Sequence, residues 1–334
     1  MEILIILPIL ISFLASLLVL PFWIRKANKI GLSWKDMNKT ENKRIAGSGG
    51  LVVVMGFILG VLIYVAIKTF IIKGSNQYIE IFALTTSILL LAGIGIIDDI
   101  FGWQHGGLSR KMRIILVLFA AIPLAVINAG ESNVFLPLFG TTDLGLLYPL
   151  ILIPLGILGT STTFNFIAGY NGLEAGQGII ILSALAAVSL ITGSSWLSVV
   201  ALCMVASLFA FLHHNKFPAK VFPGDILTYP VGGLIAIMAI LGNYEMFAVF
   251  IFMPYIAETL LKLRGKLKKH SFGIPMKDGS IKMPYDKFYG IEHIGIYLVE
   301  KIKKTKKAYE WEVVLLIHVL QITLVLIGFL LFIF

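Results

Sequence analysis

The chain has 334 residues, 58% of them hydrophobic and 13% charged, with a mean hydropathy of +0.94 and a formal charge of +9. Apolar runs of membrane-crossing length recur from end to end, which excludes an ordinary soluble domain. The basic residues sit between those runs and not on one continuous face, so nucleic acid is excluded as the partner.

Ten spans are expected, at roughly 3–24, 50–70, 79–97, 112–128, 146–164, 177–192, 196–212, 226–242, 246–263 and 311–333. The first carries Glu2, has no Lys or Arg before it and shows no small-residue cleavage site, so it reads as a true span and not a signal peptide. Pro149 and Pro154 interrupt the fifth span and Pro254 the ninth. The expected fold is an all-α polytopic membrane protein forming one domain over residues 1–334. The lone Cys203 lies in an apolar run and excludes an internal disulfide.

Ten spans leave two sets of loops. With span-end residues counted on the nearer side, the set 25–49, 98–111, 165–176, 213–225 and 264–310 takes about 25 of the 27 Lys and Arg, leaving Lys68 and Lys73 on the other side. These five loops are therefore expected in the cytoplasm of a cell or ER-type membrane, with both termini outside. On the outer side only 129–145 is long, and its Gly/Pro punctuation around Phe135-Leu136-Pro137-Leu138-Phe139-Gly140 suggests a small hairpin.

The unusual polar residues all fall on the basic side. Span 3 ends in Asp98-Asp99, a concentrated negative site suited to a hard cation or to proton transfer. Ser109-Arg110-Lys111-Met112-Arg113 follows, so acids and bases meet at one membrane face. Loop 1 closes with Ala46-Gly47-Ser48-Gly49-Gly50, where backbone N–H groups can approach a phosphate. The third loop, Asn165 to Gly178, has two Asn, one Glu and four Gly within 14 residues but no Lys or Arg, so topology does not explain its polarity. Its amides suit a hard cation or a base edge. His213-His214 lacks a Cys or third His at zinc-ligand spacing. Asp225 follows a Pro-Gly turn and reads in isolation as a helix N-cap.

Taken in order, Asp36-Met37-Asn38-Lys39, Asp98-Asp99, Asn165 through Gln177, Val221-Phe222-Pro223-Gly224-Asp225 and the basic fifth loop resemble the polyprenyl-phosphate N-acetylhexosamine-1-phosphate transferase superfamily. The resemblance covers essentially the whole chain. Asn171-Gly172-Leu173-Glu174-Ala175-Gly176-Gln177 is similar to the eukaryotic and archaeal dolichyl-phosphate GlcNAc-1-phosphate branch; the bacterial muramoyl-pentapeptide branch has Asp-Gly-Leu-Asp-Gly there.

The resemblance implies a transferase that uses a UDP-N-acetylhexosamine and a polyprenyl or dolichyl phosphate in the lipid bilayer, with Mg²⁺, or Mn²⁺ in its place. It implies Asn165 and Asp225 as metal ligands, Asp98 and Asp99 at the acceptor phosphate and Lys111 on a lipid phosphate. Asn38, Lys39, Gly169, Asn171, Glu174 and His270 fall on the substrate side, Gly169 and Asn171 beside uracil. Family members are often homodimers. The chain departs from the family in loop 5: where the eukaryotic branch has Arg-His-Arg, this chain reads His270-Ser271-Phe272-Gly273, leaving His270, Lys268 and Lys269 as substitutes. The muramoyl-pentapeptide donor is the alternative within the class. A secondary transporter is the alternative outside it, and would want ionisable residues at mid-membrane and a repeat.

Overall fold

The computed structural model describes residues 2–74, 77–136 and 140–334. In chain order the elements are α1 (Glu2–Ile30), β1 (Ser33–Lys35), β2 (Arg44–Ala46), α2 (Gly50–Ile67), α3 (Tyr78–His105), α4 (Arg110–Ala120), α5 (Ile122–Val126), β3 (Asn133–Leu136) and β4 (Gly140–Asp143). There follow α6 (Ile153–Phe164), α7 (Leu173–Ile191), α8 (Ser195–Asn215), α9 (Asp225–Gly242), α10 (Glu245–Ile251), α11 (Met253–Arg264), β5 (Ile274–Pro275), β6 (Ile281–Lys282), α12 (Ile291–Ile302) and α13 (Glu310–Phe332).

Among the described residues seven helices are long and apolar enough to cross a membrane, and an eighth span arises if α10 and α11, bent by 55°, count as one. The remaining apolar segments are shorter: a π-turn at Tyr148–Leu152 runs into α6, and α4 breaks into α5 at Ala121. Prolines explain the breaks. Pro123, Pro149, Pro154 and Pro254 each sit in the first turn of their helical segment, where a missing N–H costs nothing.

The fold is not purely helical, since three two-stranded antiparallel sheets join the bundle among the described residues. One is the hairpin expected on the outer side, β3 with β4, paired from Asn133–Asp143 to Leu136–Gly140; its tip at 137–139 lies outside the described residues. The other two, β1–β2 and β5–β6, belong to the basic loops.

α9 is the axis of the bundle. Most of its span (83%) is buried, against 22% for α1 and 33% for α13, whose outer faces carry exposed Leu18, Phe22, Leu330 and Leu331. A helix apolar all round belongs inside such a bundle, and the peripheral ones turn their apolar sides to lipid. Close packing is made by small residues. A Cβ on Gly60 of α2 would lie 1.9 Å from Ser12 Oγ and 2.7 Å from the Pro8 carbonyl, so α1 and α2 meet backbone to backbone.

Overpacking that contact costs about 1–3 kcal/mol. Gly60→Leu is expected to lower the thermal midpoint of the purified protein in detergent, read by intrinsic fluorescence. Gly74→Ala, which would meet nothing within 4 Å, is expected to leave it unchanged.

Candidate active site

α3 does not stop at the two acids; it continues to His105 and ends at Gly106 and Gly107, both in the left-handed region at φ +86° and +81°. Asp98 and Asp99 are therefore helical, about 100° apart, and address different neighbours. Asp98 Oδ1 accepts from Leu108 N (2.8 Å) and Arg113 Nη2 (3.0 Å), while Oδ2 accepts from the Tyr229 hydroxyl (3.1 Å) and pairs with Arg113 Nε (2.6 Å). The turn after α3 thus folds Arg113 of α4 back onto Asp98.

Asp99 points to the start of α9. Its Oδ1 accepts from Asp225 N (2.7 Å) and its Oδ2 from Ser48 Oγ (2.8 Å). An anion at a helix N-terminus satisfies free N–H groups and meets the positive end of the dipole. The cap of α9 is thus supplied across the bundle by α3; Asp225 is the first helical residue, after Gly224 at φ +74°, and does not cap its own helix. The approach is very close, for a Cβ on Gly95 would meet the Asp225 backbone at 2.5 Å. Asp225 is left free to face Asn165, whose Nδ2 donates to Oδ1 at 2.7 Å. It also interacts electrostatically with Asp98, Asp99 and Arg113.

Three carboxylates gather here, and Asp98 and Asp225 share the one Arg113 guanidinium. Like charges packed this closely call for a proton or a cation between them. Among the described residues no group of three or more His, Cys, Asp or Glu is arranged to hold a metal. The donors present, carboxylate and amide oxygens with excess negative charge, nevertheless fit a hard ion such as Mg²⁺.

The polar loops close around this point. Gly49 N and Gly50 N donate to the Phe222 and Pro223 carbonyls (2.9 Å each), so these glycine N–H groups are spent on loop 4 and do not face an open phosphate cradle. Asp36 accepts from Asn38 N (3.1 Å) and Asn171 Nδ2 (3.2 Å). Asn38 bridges the Gly169 carbonyl (3.1 Å) and Gly273 N (3.2 Å). Glu310, opening α13, accepts from Asn171 N (2.7 Å) and pairs with Lys39. Gly169 N donates to Glu174 (2.8 Å), and Gly169 itself, at φ +93°, has no room for a Cβ beside the Phe272 ring.

The sequence-derived residues accordingly fall into two groups. Asp98, Asp99, Asn165 and Asp225 converge on the α9 N-terminus. Asn38, Lys39, Gly169, Asn171 and Glu174 converge on the third loop, where Asn38, Asn171 and Glu174 are buried and hydrogen-bonded within the cluster. Lys111 is exposed on α4, and the ion pair to Asp98 is made by Arg113, two residues on. His270 is exposed, its N–H donating to the Tyr285 hydroxyl at 3.3 Å.

Sequence reasoning missed Arg113, Tyr229 and Ser48. Tyr229 had a signal: it lies four residues after Asp225 on one face of α9. It also missed the inner side of α12, although Glu258 of α11, which meets it there, reads from the sequence as an interfacial or bundle-facing acid. Glu292 is fully buried and accepts from Ala168 N (3.2 Å), and Glu258 accepts from Ile291 N (2.5 Å) while pairing with Lys262 (3.3 Å). Burial and then the Glu258 charge push the Glu292 carboxyl well above the usual carboxylate range. Burial, and then Lys262, push the His293 ring down to about 4.

A signature described as glycosyl transferase family 4 matches residues 79–243. The chain is 36% identical over 316 residues (94% of this chain, 92% of the relative) to a Saccharolobus solfataricus protein provisionally named UDP-N-acetylglucosamine–dolichyl-phosphate N-acetylglucosaminephosphotransferase. The chain belongs to this family. A Dictyostelium discoideum protein named for the same activity is 29% identical over 75% of this chain and 70% of its own length. A Staphylococcus carnosus phospho-N-acetylmuramoyl-pentapeptide-transferase is 29% identical over 77% and 85%. The matched stretch runs from α3 to α9, the two helices whose junction holds Asp98, Asp99 and Asp225.

The depressed His293 ring links folding to pH. Unfolded, the ring takes a proton near 6.5; folded, only near 4. The stability it contributes is complete above about 6.5 and drains away as pH falls toward 4. Glu292 acts in the opposite sense, so the comparison is with a variant. Between pH 7 and 4.5 the native chain is expected to lose more thermal stability than His293→Gln, measured as melting temperature against pH.

Proposed function

We propose that the protein transfers GlcNAc-1-phosphate from UDP-GlcNAc to a dolichyl-type polyprenyl phosphate, giving GlcNAc-diphospho-polyprenol and UMP. The observation that carries the reading is the meeting of Asp98, Asp99, Asp225 and Asn165 at the N-terminus of α9, with Arg113 beside them. The names borne by the archaeal and Dictyostelium relatives favour this donor and acceptor. The Asn171–Gln177 run favours the same branch. A transporter fits less well, because these acids gather with the loops at one end of the bundle.

An oxygen of the lipid phosphate attacks the β-phosphorus of the donor, and the bond to the UMP oxygen breaks with its electron pair leaving on UMP. Phosphomonoesters are largely dianionic at neutral pH, so the attacking oxygen needs little help in losing a proton. Two anions must instead be brought together. In this reading Asp225 and Asn165 hold Mg²⁺, or Mn²⁺, which when bound supplies positive charge to the diphosphate.

The saturated bonding of Asp98, to Arg113, Tyr229 and Leu108 N, suits an orienting role. Asp99, holding the α9 N-terminus, sets where Asp225 stands. Lys111, exposed on α4 at the same end, is available to a lipid phosphate. Asn38, Lys39, Asn171 and Glu174 fix the backbone of the third loop, which in this reading presents Gly169 and Asn171 to uracil. His270, with Lys268 and Lys269, stands at the sugar end.

The reading includes ten spans, with the short helices 112–128 and 146–164 and the bent pair counted as crossings. The Lys/Arg asymmetry then puts the site on the cytoplasmic side and both termini outside. A homodimer is consistent with the family.

With polyprenyl phosphate and Mg²⁺, UMP release is expected from UDP-GlcNAc and not from UDP-MurNAc-pentapeptide; the reverse preference would overturn the donor assignment. Asp225→Ala and Asn165→Ala are expected to abolish turnover or raise the Mg²⁺ needed for half-activity at least about tenfold, the scale on which loss of one ligand or its support acts. An unchanged Mg²⁺ titration would remove them as ligands.

A further inference from the structure

α12 presents an inverted pattern. Its inner side carries the polar Glu292 and His293 beside Ile296 and Val299, all buried. Its outer side carries Tyr297, Leu298 and Ile302, exposed by 42%, 37% and 76%, with Ile294 partly exposed and Lys301 between them. Residues three and four apart share a helix face, so Ile294, Tyr297, Leu298, Lys301 and Ile302 form one stripe. A helix at a purely aqueous surface would turn such residues in.

The stripe lies beside a membrane span. Gly295 packs on Val313, in the first turn of α13, closely enough that a Cβ would sit 2.8 Å from its side chain. Trp311 and Leu315, at the start of that apolar helix, are themselves exposed. Aromatic residues at such a boundary sit at headgroup level.

Positive charge surrounds the same place. Lys301 lies in the stripe, and Lys303, Lys304, Lys306 and Lys307 follow it directly. Lys303 pairs with Glu312 and Lys307 with Asp278, whereas Lys277, Lys304 and Lys306 have no ion-pair partner among the described residues. Lys277, Lys282, Lys306 and Lys307, outnumbering Asp278 and Glu300, line a cleft of about 460 Å³ between the β5–β6 turn and the α12–α13 connection.

We propose that α12 is an interfacial helix, docked through Ile294, Tyr297, Leu298 and Ile302 into the leaflet on the loop side, with its lysines on anionic lipid headgroups. An apolar stripe flanked by lysines matches that surface in both shape and charge. Neither a soluble protein nor a second copy of the chain is called for by the placement of the stripe against the start of a span. Docking also has a target inside the protein, because the inner side of α12 holds Ala168 through Glu292, and so steadies the third loop. The proposal does not depend on which donor the enzyme uses.

The test places a nitrobenzoxadiazole label on Leu298→Cys, and separately on Ile302→Cys, in the full chain reconstituted into nanodiscs. Cys203 is buried and stays unlabelled. The discs contain phosphatidylcholine alone or equimolar phosphatidylcholine and phosphatidylglycerol. The label is expected to be quenched by shallow spin-labelled lipid and shielded from iodide. In the mixed discs, headgroup-labelled phosphatidylglycerol is expected to quench about five-fold more efficiently than headgroup-labelled phosphatidylcholine, the effect of roughly one lysine near a charged surface. Lys301→Gln with Lys304→Gln and Lys306→Gln is expected to bring the two toward parity while leaving the shallow quenching in place. Free iodide access at both positions would overturn the docking. Equal quenching by the two headgroups in the native chain would overturn the anionic preference. Protection that appears only at high protein-to-lipid ratio would assign the stripe to a second copy instead.

Discussion

The contact on which the rest of this structure depends is the carboxylate of Asp99 on the N-terminus of α9. A helix start buried in a membrane protein has unpaired N–H groups and no water to satisfy them. Here α3 supplies the acceptor, Ser48 from loop 1 steadies it, and glycines at 95 and 224 allow the approach. The bond fixes the most enclosed helix of the bundle relative to α3. Because Asp225 is the first residue of that helix, the same bond sets the position of its side chain. Architecture and candidate chemistry therefore share one hydrogen bond.

Charge burial explains the loop cluster around it. Asp36, Glu174, Glu292 and Glu310 are all at or below 4% exposure. Each is retained by backbone N–H groups, amides or a lysine, as buried charge requires. The backbone N–H groups of Ala168, Gly169 and Asn171 donate to Glu292, Glu174 and Glu310, so the third loop is held by three separate acids from α12, α7 and α13. A loop without regular structure gains a defined shape this way, which a ligand-binding loop needs before its ligand arrives.

The sequence carried the helical bundle and the grouping of polar loops legibly, because hydropathy and Lys/Arg placement act over whole segments. It carried Asp98, Asp99, Asn165 and Asp225 as a set, because they form ordered motifs. It did not show that Asp98 and Asp99 lie inside α3, since two acids at an apolar boundary read as its end. Their neutralisation by Arg113 and by a helix terminus is a tertiary event. Nor did it separate Lys111 from Arg113: both are basic, and only the turn through Gly106 and Gly107 decides which one returns to Asp98. The role of Glu292 was hidden for a similar reason. In a lysine-rich loop a Glu looks like a solvated charge, and the contact of Glu292 with Ala168 lies more than a hundred residues away.

The bond from Asn171 to Glu310, with Lys39 on the same carboxylate, bears on how the protein is made. Glu310 opens the last span, while Lys39 follows the first. A ribosome delivering spans in order would have Asp98, Asn165 and Asp225 in the membrane well before Glu310 is synthesised. The nascent protein would hold its acidic centre while the third loop still lacked one of its anchors. Completion of the third loop's anchoring is then tied to insertion of α13, so chains that stall before that helix would lack one of the three acids that hold it.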